Sequence, residues 1–328
     1  MPPLVAVTDS VFPNLDPAHE VLAEIGAELR LAVQPTHEGI LEVAREADAV
    51  LTTYAKMPAQ VITQLTRCRI IARFGIGVDN VDIAAATSRG IVVTRVPDYC
   101  LDEVSDHAMA LLLALVRKIP SSNARTHGGR WEMKAVTPIH RLRGTVLGLA
   151  AFGQIAQLGA PKAKAFGMRV VAYDPYVTDE VLARACVERV DFDELVRISD
   201  YISIHTPLIP ATHHLFGADV FPRMKPSAYL INTARGPIVD EAALARALDQ
   251  KHLAGAALDV MEQEPPGGSP LFGRENVILT PHTSFYSEES LLDLQTKAAE
   301  EVLRVLSGAA PRHPVNPEIS KSASNKTQ

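Results

Sequence analysis

Short apolar runs rich in Val, Ile, Leu and Ala alternate along this chain with longer stretches in which apolar positions recur every three or four residues. The first pattern marks buried strands and the second marks amphipathic helices. Leu4–Val7, Ala49–Thr52, Ile70–Arg73 and Ile91–Val93 read as strands, with Pro17–Ile25 and Ile40–Ala47 as helices between them. Asp102-Glu103-Val104-Ser105-Asp106 then sets acidic residues ahead of an apolar helix running to Arg117, whose basic end suits the helix dipole. An irregular stretch, Ser121–Arg143, contains Gly128-Gly129-Arg130-Trp131. A second series of strands follows at Val146–Ala150, Val170–Tyr173, Tyr201–Ile204, Ala228–Ile231, Ala256–Val260 and Val277–Leu279, and a last helix at Ser287–Leu306. This alternation predicts an α/β fold of parallel sheets flanked by helices. At 328 residues the chain is too long for one ordinary core, so two units are expected. The tail from Pro317, rich in Ser, Lys and Asn, is expected to be disordered.

Composition refines this picture mainly by exclusion. With 32 Lys and Arg against 38 Asp and Glu, a formal net charge of −6 and no basic run, nucleic acid is not the expected partner. The longest apolar run, Met109–Val116, falls far short of the roughly 18 residues of a membrane span. The opening Met1-Pro2-Pro3-Leu4 lacks the basic start of a signal peptide, so a cytoplasmic protein is expected. Cys68, Cys100 and Cys186 are odd in number with no metal-like spacing and read as buried reduced thiols, with no metal site.

The chemistry concentrates just after three of the predicted strands. Arg235 stands in Asn232-Thr233-Ala234-Arg235-Gly236, Glu264 closes Leu258-Asp259-Val260-Met261-Glu262-Gln263-Glu264-Pro265, and His282 stands in Thr280-Pro281-His282-Thr283. Ligands of open α/β sheets collect at the carboxyl ends of strands. A planar guanidinium can grip a carboxylate and polarise a neighbouring carbonyl at once. Histidine is the side chain that exchanges a proton near neutrality, and a carboxylate on its other nitrogen fixes the tautomer and favours imidazolium. The trio suits reduction of a 2-oxo acid or oxidation of its 2-hydroxy partner. Each residue alone reads more readily as a loop charge or a turn; together, with a cofactor fingerprint upstream, they point to chemistry.

A dinucleotide fingerprint lies upstream. Gly148-Leu149-Ala150-Ala151-Phe152-Gly153-Gln154-Ile155-Ala156 follows a strand and opens a helix. The usual three small positions read Ala151, Gly153 and Ala156, so the second is intact, the third is a permitted Ala and the first departs from Gly. If position 151 needs positive φ, its Ala costs on the order of 1–2 kcal/mol. Asp174, ending the strand Val170–Tyr173, stands where an acid meets the adenosine ribose hydroxyls, and Pro175-Tyr176 supplies no Arg for a 2′-phosphate. NAD is therefore expected over NADP.

Taken in order, Arg73-Phe74-Gly75-Ile76-Gly77-Val78-Asp79-Asn80, Leu142-Arg143-Gly144, Tyr173-Asp174-Pro175-Tyr176, Ser199-Asp200, His205-Thr206-Pro207 and the three segments carrying Arg235, Glu264 and His282 form one extended signature. From Ile70 to Asn316 the chain resembles the D-isomer-specific 2-hydroxyacid dehydrogenase family, and within it the bacterial dehydrogenases akin to C-terminal-binding protein. The resemblance implies that Arg235 anchors substrate, that Glu264 supports His282 and that His282 is the acid/base. It implies that Gly75, Ile76 and Gly77, with Tyr54 nearby, bind the substrate. The NAD site would be formed by Val104, Ala151, Phe152, Gly153, Gln154, Ile155, Asp174, His205, Thr206, Pro207, Thr212, Thr233, Ala234, Asp259 and Ser284. Asp259 reads as well as a turn cap, and the loop at Gly75-Ile76-Gly77 as a plain tight turn.

The same resemblance implies two Rossmann-like or flavodoxin-like domains. Residues 1–100 and 288–316 would form the substrate domain, with the NAD-binding domain, 101–287, inserted and the tail 317–328 disordered. A homodimer through roughly residues 101–143 is implied, with Trp131 either an interface anchor or a core aromatic. Ser105 and Asp106 replace the family's usual Ala-Glu pair. Thr52-Thr53-Tyr54 stands where phosphoglycerate dehydrogenases place arginine, which makes a phosphorylated substrate less expected. Two other functions stay open: an NADH-sensing, corepressor-like dimer with little turnover, and oxidation of an inorganic oxyanion.

Overall fold

The computed structural model describes residues 2–319. Among them the chain divides into two compact units, one built from the residues up to Tyr99 with those from Ser287 onward, the other Cys100–Tyr286.

The first unit begins with β1 (Leu4–Val7), α1 (Asp16–Leu22), β2 (Glu28–Leu31), α2 (His37–Ala44), β3 (Ala49–Thr52), α3 (Ala59–Ile62), β4 (Ile70–Arg73), α4 (Ile83–Ser88) and β5 (Val92–Thr94). The strands pair in parallel in the order β2-β1-β3-β4-β5, the flavodoxin-like doubly wound order. β1, β3 and β4 carry the near-continuous apolar sequence that a sheet covered on both faces requires. Ile40 and Ala44 of α2, Val61 and Ile62 of α3 and Ala86 of α4 close one core with Ala6, Val50 and Ile71. The Asp9 carboxylate, just past β1, accepts the amides of Thr53 (3.0 Å), Tyr54 (2.7 Å) and Ala55 (3.2 Å), fixing the loop after β3.

The second unit runs through α5 (Leu101–Val116), α6 (Ile119–His127), β6 (Val146–Ala150), α7 (Gln154–Ala165), β7 (Arg169–Tyr173), α8 (Asp179–Arg184), β8 (Glu188–Arg189), α9 (Phe192–Ile198), β9 (Tyr201–Ile204), β10 (Tyr229–Asn232), α10 (Glu241–Asp249), β11 (Gly255–Leu258) and β12 (Val277–Leu279). Its seven parallel strands lie in the order β12-β11-β10-β9-β6-β7-β8. Counted within the unit, this is the Rossmann order with one more strand, and its switch point falls between β6 and β9. Helices α5 and α7 pack on one face through Leu111, Leu112, Leu115, Ala156 and Ala160. Helices α9 and α10 pack on the other through Leu195, Val196, Leu244 and Leu248.

The chain then returns to the first unit with α11 (Glu288–Leu306), capped by Ser287, whose hydroxyl accepts the Ser290 amide at 2.9 Å. Its buried stripe, Leu291, Leu294, Ala298 and Val302, repeats at helical spacing and packs with α1 against the sheet. Arg69 donates to the last carbonyls of α11, Val305 at 2.6 Å and Leu306 at 3.1 Å. Asn316 joins β5, accepting Val93 N at 2.8 Å and donating to Ile91 O at 3.0 Å.

The structure departs from the sequence reading at four places. Ser121–Arg143 is not irregular throughout, because α6 occupies Ile119–His127 and a 3-10 turn follows at Met133–Val136. α6 starts with Pro120 in its first turn, where proline is tolerated, and buries none of its side chains, so it carries no apolar periodicity. Trp131 is 89% exposed and is not a core aromatic. The edge strand β2 was missed because its Glu-Leu-Arg-Leu sequence is mostly exposed. Of the tail expected to be disordered, Pro317 to Ile319 continue the ordered chain, with Ile319 N donating to Asn316 O at 3.2 Å, and 320–328 lie outside the described residues. No described helix is long and apolar enough to cross a membrane.

Candidate active site

The loops leaving β10, β11 and β12 carry Arg235, Glu264 and His282 on neighbouring strand ends of one sheet. Asp259 organises the last of these loops. It is 1% exposed and its carboxylate accepts Thr280 Oγ1 (2.6 Å), Thr283 N (2.9 Å) and Ser284 N (2.8 Å). His107 of α5 adds a 3.1 Å contact to Thr280 Oγ1. The turn so formed holds His282 at φ 54°, with its amide on Asp259 O (2.8 Å) and Thr280 O (3.0 Å). A left-handed non-glycine residue is uncommon and is held there by its surroundings. Here Asp259 supplies that hold.

His282 Nδ1 lies 2.6 Å from Glu264 Oε2, and Glu264 Oε1 accepts Met261 N at 2.9 Å. An ionised carboxylate only accepts, so Nδ1 bears the proton and Nε2 is the nitrogen that can exchange one with a bound molecule. Arg235 follows a turn built by Asn232, which is fully buried; its side chain accepts Ala234 N at 3.0 Å and donates to Arg235 O at 2.9 Å. Arg235 Nη1 donates to Ala234 O at 2.8 Å. Gly236 packs so closely that an added Cβ would stand 1.8 Å from Met261 O. The Arg235 turn and the Glu264 loop therefore meet backbone to backbone.

At the switch point, Ala151 adopts φ 77°, the left-handed conformation that its place in the fingerprint demands. Its amide donates to Tyr173 O at 2.8 Å, and Phe152, fully buried, donates its amide to Asp174 Oδ2 at 2.8 Å. Gly153 is the N-cap of α7 with no side-chain cap, and a Cβ there would meet nothing within 4 Å. The first-turn amides, Gln154 and Ile155 among them, have no acceptor within the helix, which suits an anion beside the open space at Gly153. Asp174 Oδ1 also accepts Tyr176 N (2.8 Å) and Val177 N (3.1 Å). Arg189 of β8, which the sequence reading did not single out, donates to Asp174 O at 2.7 Å and pairs with Asp179 at 2.6 Å. Its guanidinium is therefore held to the chain beside the Asp174 turn.

After β9, His205 donates its amide to Ala150 O (2.9 Å), and its Nε2 is 2.9 Å from Ser203 Oγ. Burial pushes its imidazole down to about 4. Thr212 closes the next turn, its hydroxyl donating to Pro207 O at 2.6 Å. The hydroxyls of Thr206 and Thr233, on the rims of β9 and β10, are buried without a protein partner. Buried polar groups normally find partners. Those orphaned hydroxyls and the open cradle at Gly153 make this rim fit a dinucleotide. Val104 and Ser284 are 5% and 4% exposed, so both stand behind this surface more than on it. Ala234 lies between Thr233 and Arg235 in the turn already described.

In the first unit, Gly75 adopts φ 148°, and a Cβ there would collide with the Arg73 guanidinium. Ile76 and Gly77 are half-buried beyond it, and Tyr54 is 40% exposed with its amide on Asp9. Among the described residues no group of His, Cys, Asp and Glu could hold a metal ion.

Residues 109–284 match the family model described as D-isomer specific 2-hydroxyacid dehydrogenase, NAD binding domain. The chain belongs to the D-isomer specific 2-hydroxyacid dehydrogenase family. It is 37% identical over 296 residues to the glyoxylate reductase of Thermococcus litoralis, covering 88% of this chain and 89% of that one. It is 40% identical over 307 residues to the D-3-phosphoglycerate dehydrogenase of Methanocaldococcus jannaschii, covering 92% of this chain but 58% of the relative. The chain thus spans less than two thirds of the phosphoglycerate dehydrogenases it matches. Among solved structures, the D-lactate dehydrogenase of Aquifex aeolicus, complexed with NAD and lactic acid, superposes with a TM-score of 0.85 at 26% identity, covering 93% of this chain and 96% of that one. These findings bear out the family and the α/β architecture; they do not speak to the narrower kinship with C-terminal-binding protein.

Proposed function

We propose that the protein is a cytoplasmic NAD-dependent dehydrogenase that interconverts a small D-2-hydroxy acid and its 2-oxo acid. The observation that carries this reading is the 2.6 Å His282–Glu264 pair on the strand end next to the Arg235 turn. Bound NADH supplies the hydride to the carbonyl carbon, and NAD accepts it in reverse. The Arg235 guanidinium grips the substrate carboxylate and polarises the carbonyl oxygen. As that oxygen gains charge, the Nε2 proton of His282 passes to it, and Glu264 stabilises the imidazolium before the transfer. In the oxidative direction neutral His282 takes the hydroxyl proton. Asp259 acts one step back, by holding the turn that presents His282.

Gly153, Gln154 and Ile155 would hold the pyrophosphate, Asp174 the ribose hydroxyls, and Thr206 and Thr233 would bond at the rim. A carboxylate at Asp174 disfavours a 2′-phosphate, and Arg189 is already tied to Asp174 O, Val177 O and Asp179, which supports NAD over NADP. In the first unit the amides of the Gly75-Ile76-Gly77 loop are proposed to bind carboxylate. An unphosphorylated acid is favoured, because the amides at Thr53, Tyr54 and Ala55 are taken by Asp9. The three cysteines form no disulfide among the described residues, and although all were expected to be buried, only Cys100 is, Cys68 being half-buried and Cys186 exposed; reduced thiols suit a reducing compartment.

We also propose a homodimer through the segment around α6. Trp131, Met133 and Ile119 are 89%, 78% and 54% exposed, and a cavity of about 770 Å³ beside them is lined by Lys118, Val136, Arg141, Tyr201 and Tyr229. Sedimentation that gives a monomer for the intact chain would refute it.

Loss of NADH absorbance with glyoxylate, hydroxypyruvate, phosphohydroxypyruvate, pyruvate and phenylpyruvate tests the activity. Turnover of at least one is expected. Tight NADH binding without turnover of any would replace the enzyme with an NADH sensor.

A further inference from the structure

Glu262 lies on the same loop as Glu264, two residues earlier, yet its carboxylate engages a different imidazole. Oε1 is 2.6 Å from His214 Nε2, and Oε2 accepts the Glu241 amide at 2.9 Å. The Glu262 amide in turn donates to Glu241 Oε1 at 2.6 Å, and Glu241 Oε2 accepts Ser269 Oγ at 2.7 Å. Glu241 is 8% exposed and is the first residue of α10, the helix that follows the Arg235 turn. His214 sits on the loop after β9, at φ 51°, and its amide donates to Pro237 O at 2.8 Å. Phe216 N donates to Ile238 O at 3.0 Å along the same strip.

Glu262 is therefore where the loops after β9, β10 and β11 are joined. The joint has an electrostatic weak point. Two carboxylates, Glu241 and Glu262, are held side by side by each other's amides, and like charges repel. His214 is the group that gives Glu262 a favourable partner in that position. The Gly236–Met261 approach leaves no slack between the Arg235 turn and this loop, so a shift at Glu262 is taken up along its own loop toward Glu264. Misplacing reacting groups by about 1 Å costs up to roughly a hundredfold in rate.

We infer that His214 and Glu262 are positioning residues: they fix the spacing between the Arg235 turn and the Glu264 loop, and act on the reaction only through Glu264 and His282. The contribution to stability is small, because an ion pair whose side chains are 36% and 33% exposed is largely screened by solvent. Geometry is what it supplies.

The kinetic arm rests on the proposed function, so a second arm is independent of turnover. In the full-length protein, His214→Ala is expected to lower kcat roughly tenfold with little change in thermal midpoint or NADH affinity. His214→Gln, whose side-chain amide donates from the place of Nε2, should restore kcat to within about twofold of wild type. Independently, proton NMR should show the hydrogen-bonded Nδ1 proton of His282, assigned by its loss in His282→Gln. That signal should shift or vanish in His214→Ala and return in His214→Gln. A signal untouched by His214→Ala overturns the inference whatever kcat does, and so does a failure of His214→Gln to restore it. If wild type turns over none of the 2-oxo acids, the proposed reaction falls and the NMR arm still decides the positioning role. Should His214→Ala not fold, Glu262→Gln is read in the same two ways.

Discussion

His282 and His214 each sit in a left-handed backbone conformation and each reach a glutamate on one short loop at 2.6 Å, while His205, nearby on the rim of β9, has a serine instead. The difference between the two pairs is the nitrogen they use. His282 gives Nδ1 to Glu264, which directs Nε2 outward; His214 gives Nε2 to Glu262, whose other oxygen is fixed by a backbone amide. The same two residue types thus make a proton donor in one place and a tie between loops in another. His205 shows the third outcome, in which burial without a carboxylate drives the imidazole down to about 4. What an imidazole does on this rim follows from which of its atoms the chain has already engaged.

The comparison breaks most sharply at His282. His282→Gln should lower kcat by roughly a thousandfold, as loss of a general acid does, while leaving NADH affinity near wild type by fluorescence titration. A loss under tenfold would put His282 on a level with His214. His205 comes next and is read by stability. Its folded value lies below its ordinary 6.5, so its contribution is complete above pH 6.5 and declines as pH falls toward about 4. His205→Gln should remove that decline, worth up to about 3 kcal/mol before screening at the partly open rim. Urea unfolding of both proteins at pH 7 and pH 5 measures it, and parallel losses would show that His205 carries its proton in the folded state. Glu264→Gln should cost roughly thirtyfold in kcat, less than His282→Gln because the amide oxygen can still accept the Nδ1 proton. Equal losses would mean that the charge of Glu264, and not its geometry, sustains the acid. The smallest effect belongs to another left-handed position, Ala151. Ala151→Gly should relieve about 1 kcal/mol of backbone strain and tighten NADH binding by up to roughly tenfold. Weaker binding would show that the loop is shaped around the Ala methyl.

The sequence made the strands legible wherever both faces are buried. Ala49–Thr52, Ile70–Arg73 and Tyr201–Ile204 match their observed ends, because an apolar run with turn residues on either side has little other solution. The left-handed conformation of Ala151 was also readable, since its place in the fingerprint sets the backbone before the side chain is known. α6 and β2 were hidden for one reason: neither buries enough side chain to leave a period. The joint at Glu262 was hidden for another. His214 and Glu262 are 48 residues apart, and nothing in either neighbourhood marks them as partners until the loops are folded together. The contact of Arg189 with Asp174 O is hidden in the same way, since 15 residues separate the two.

The return of α11 and Asn316 to the first sheet has a bearing on synthesis. Ribosomes deliver the chain from its amino end, and domains tend to fold as units when their residues are complete. Every strand of the second sheet has emerged before Ser287 appears, whereas β3 and β4 still await the helix that packs on them, and the carbonyls that Arg69 binds have yet to be made. The half that starts first is finished last, and a nascent product stopped near residue 286 would carry one mature sheet and one with an uncovered apolar face, a ready target for chaperones.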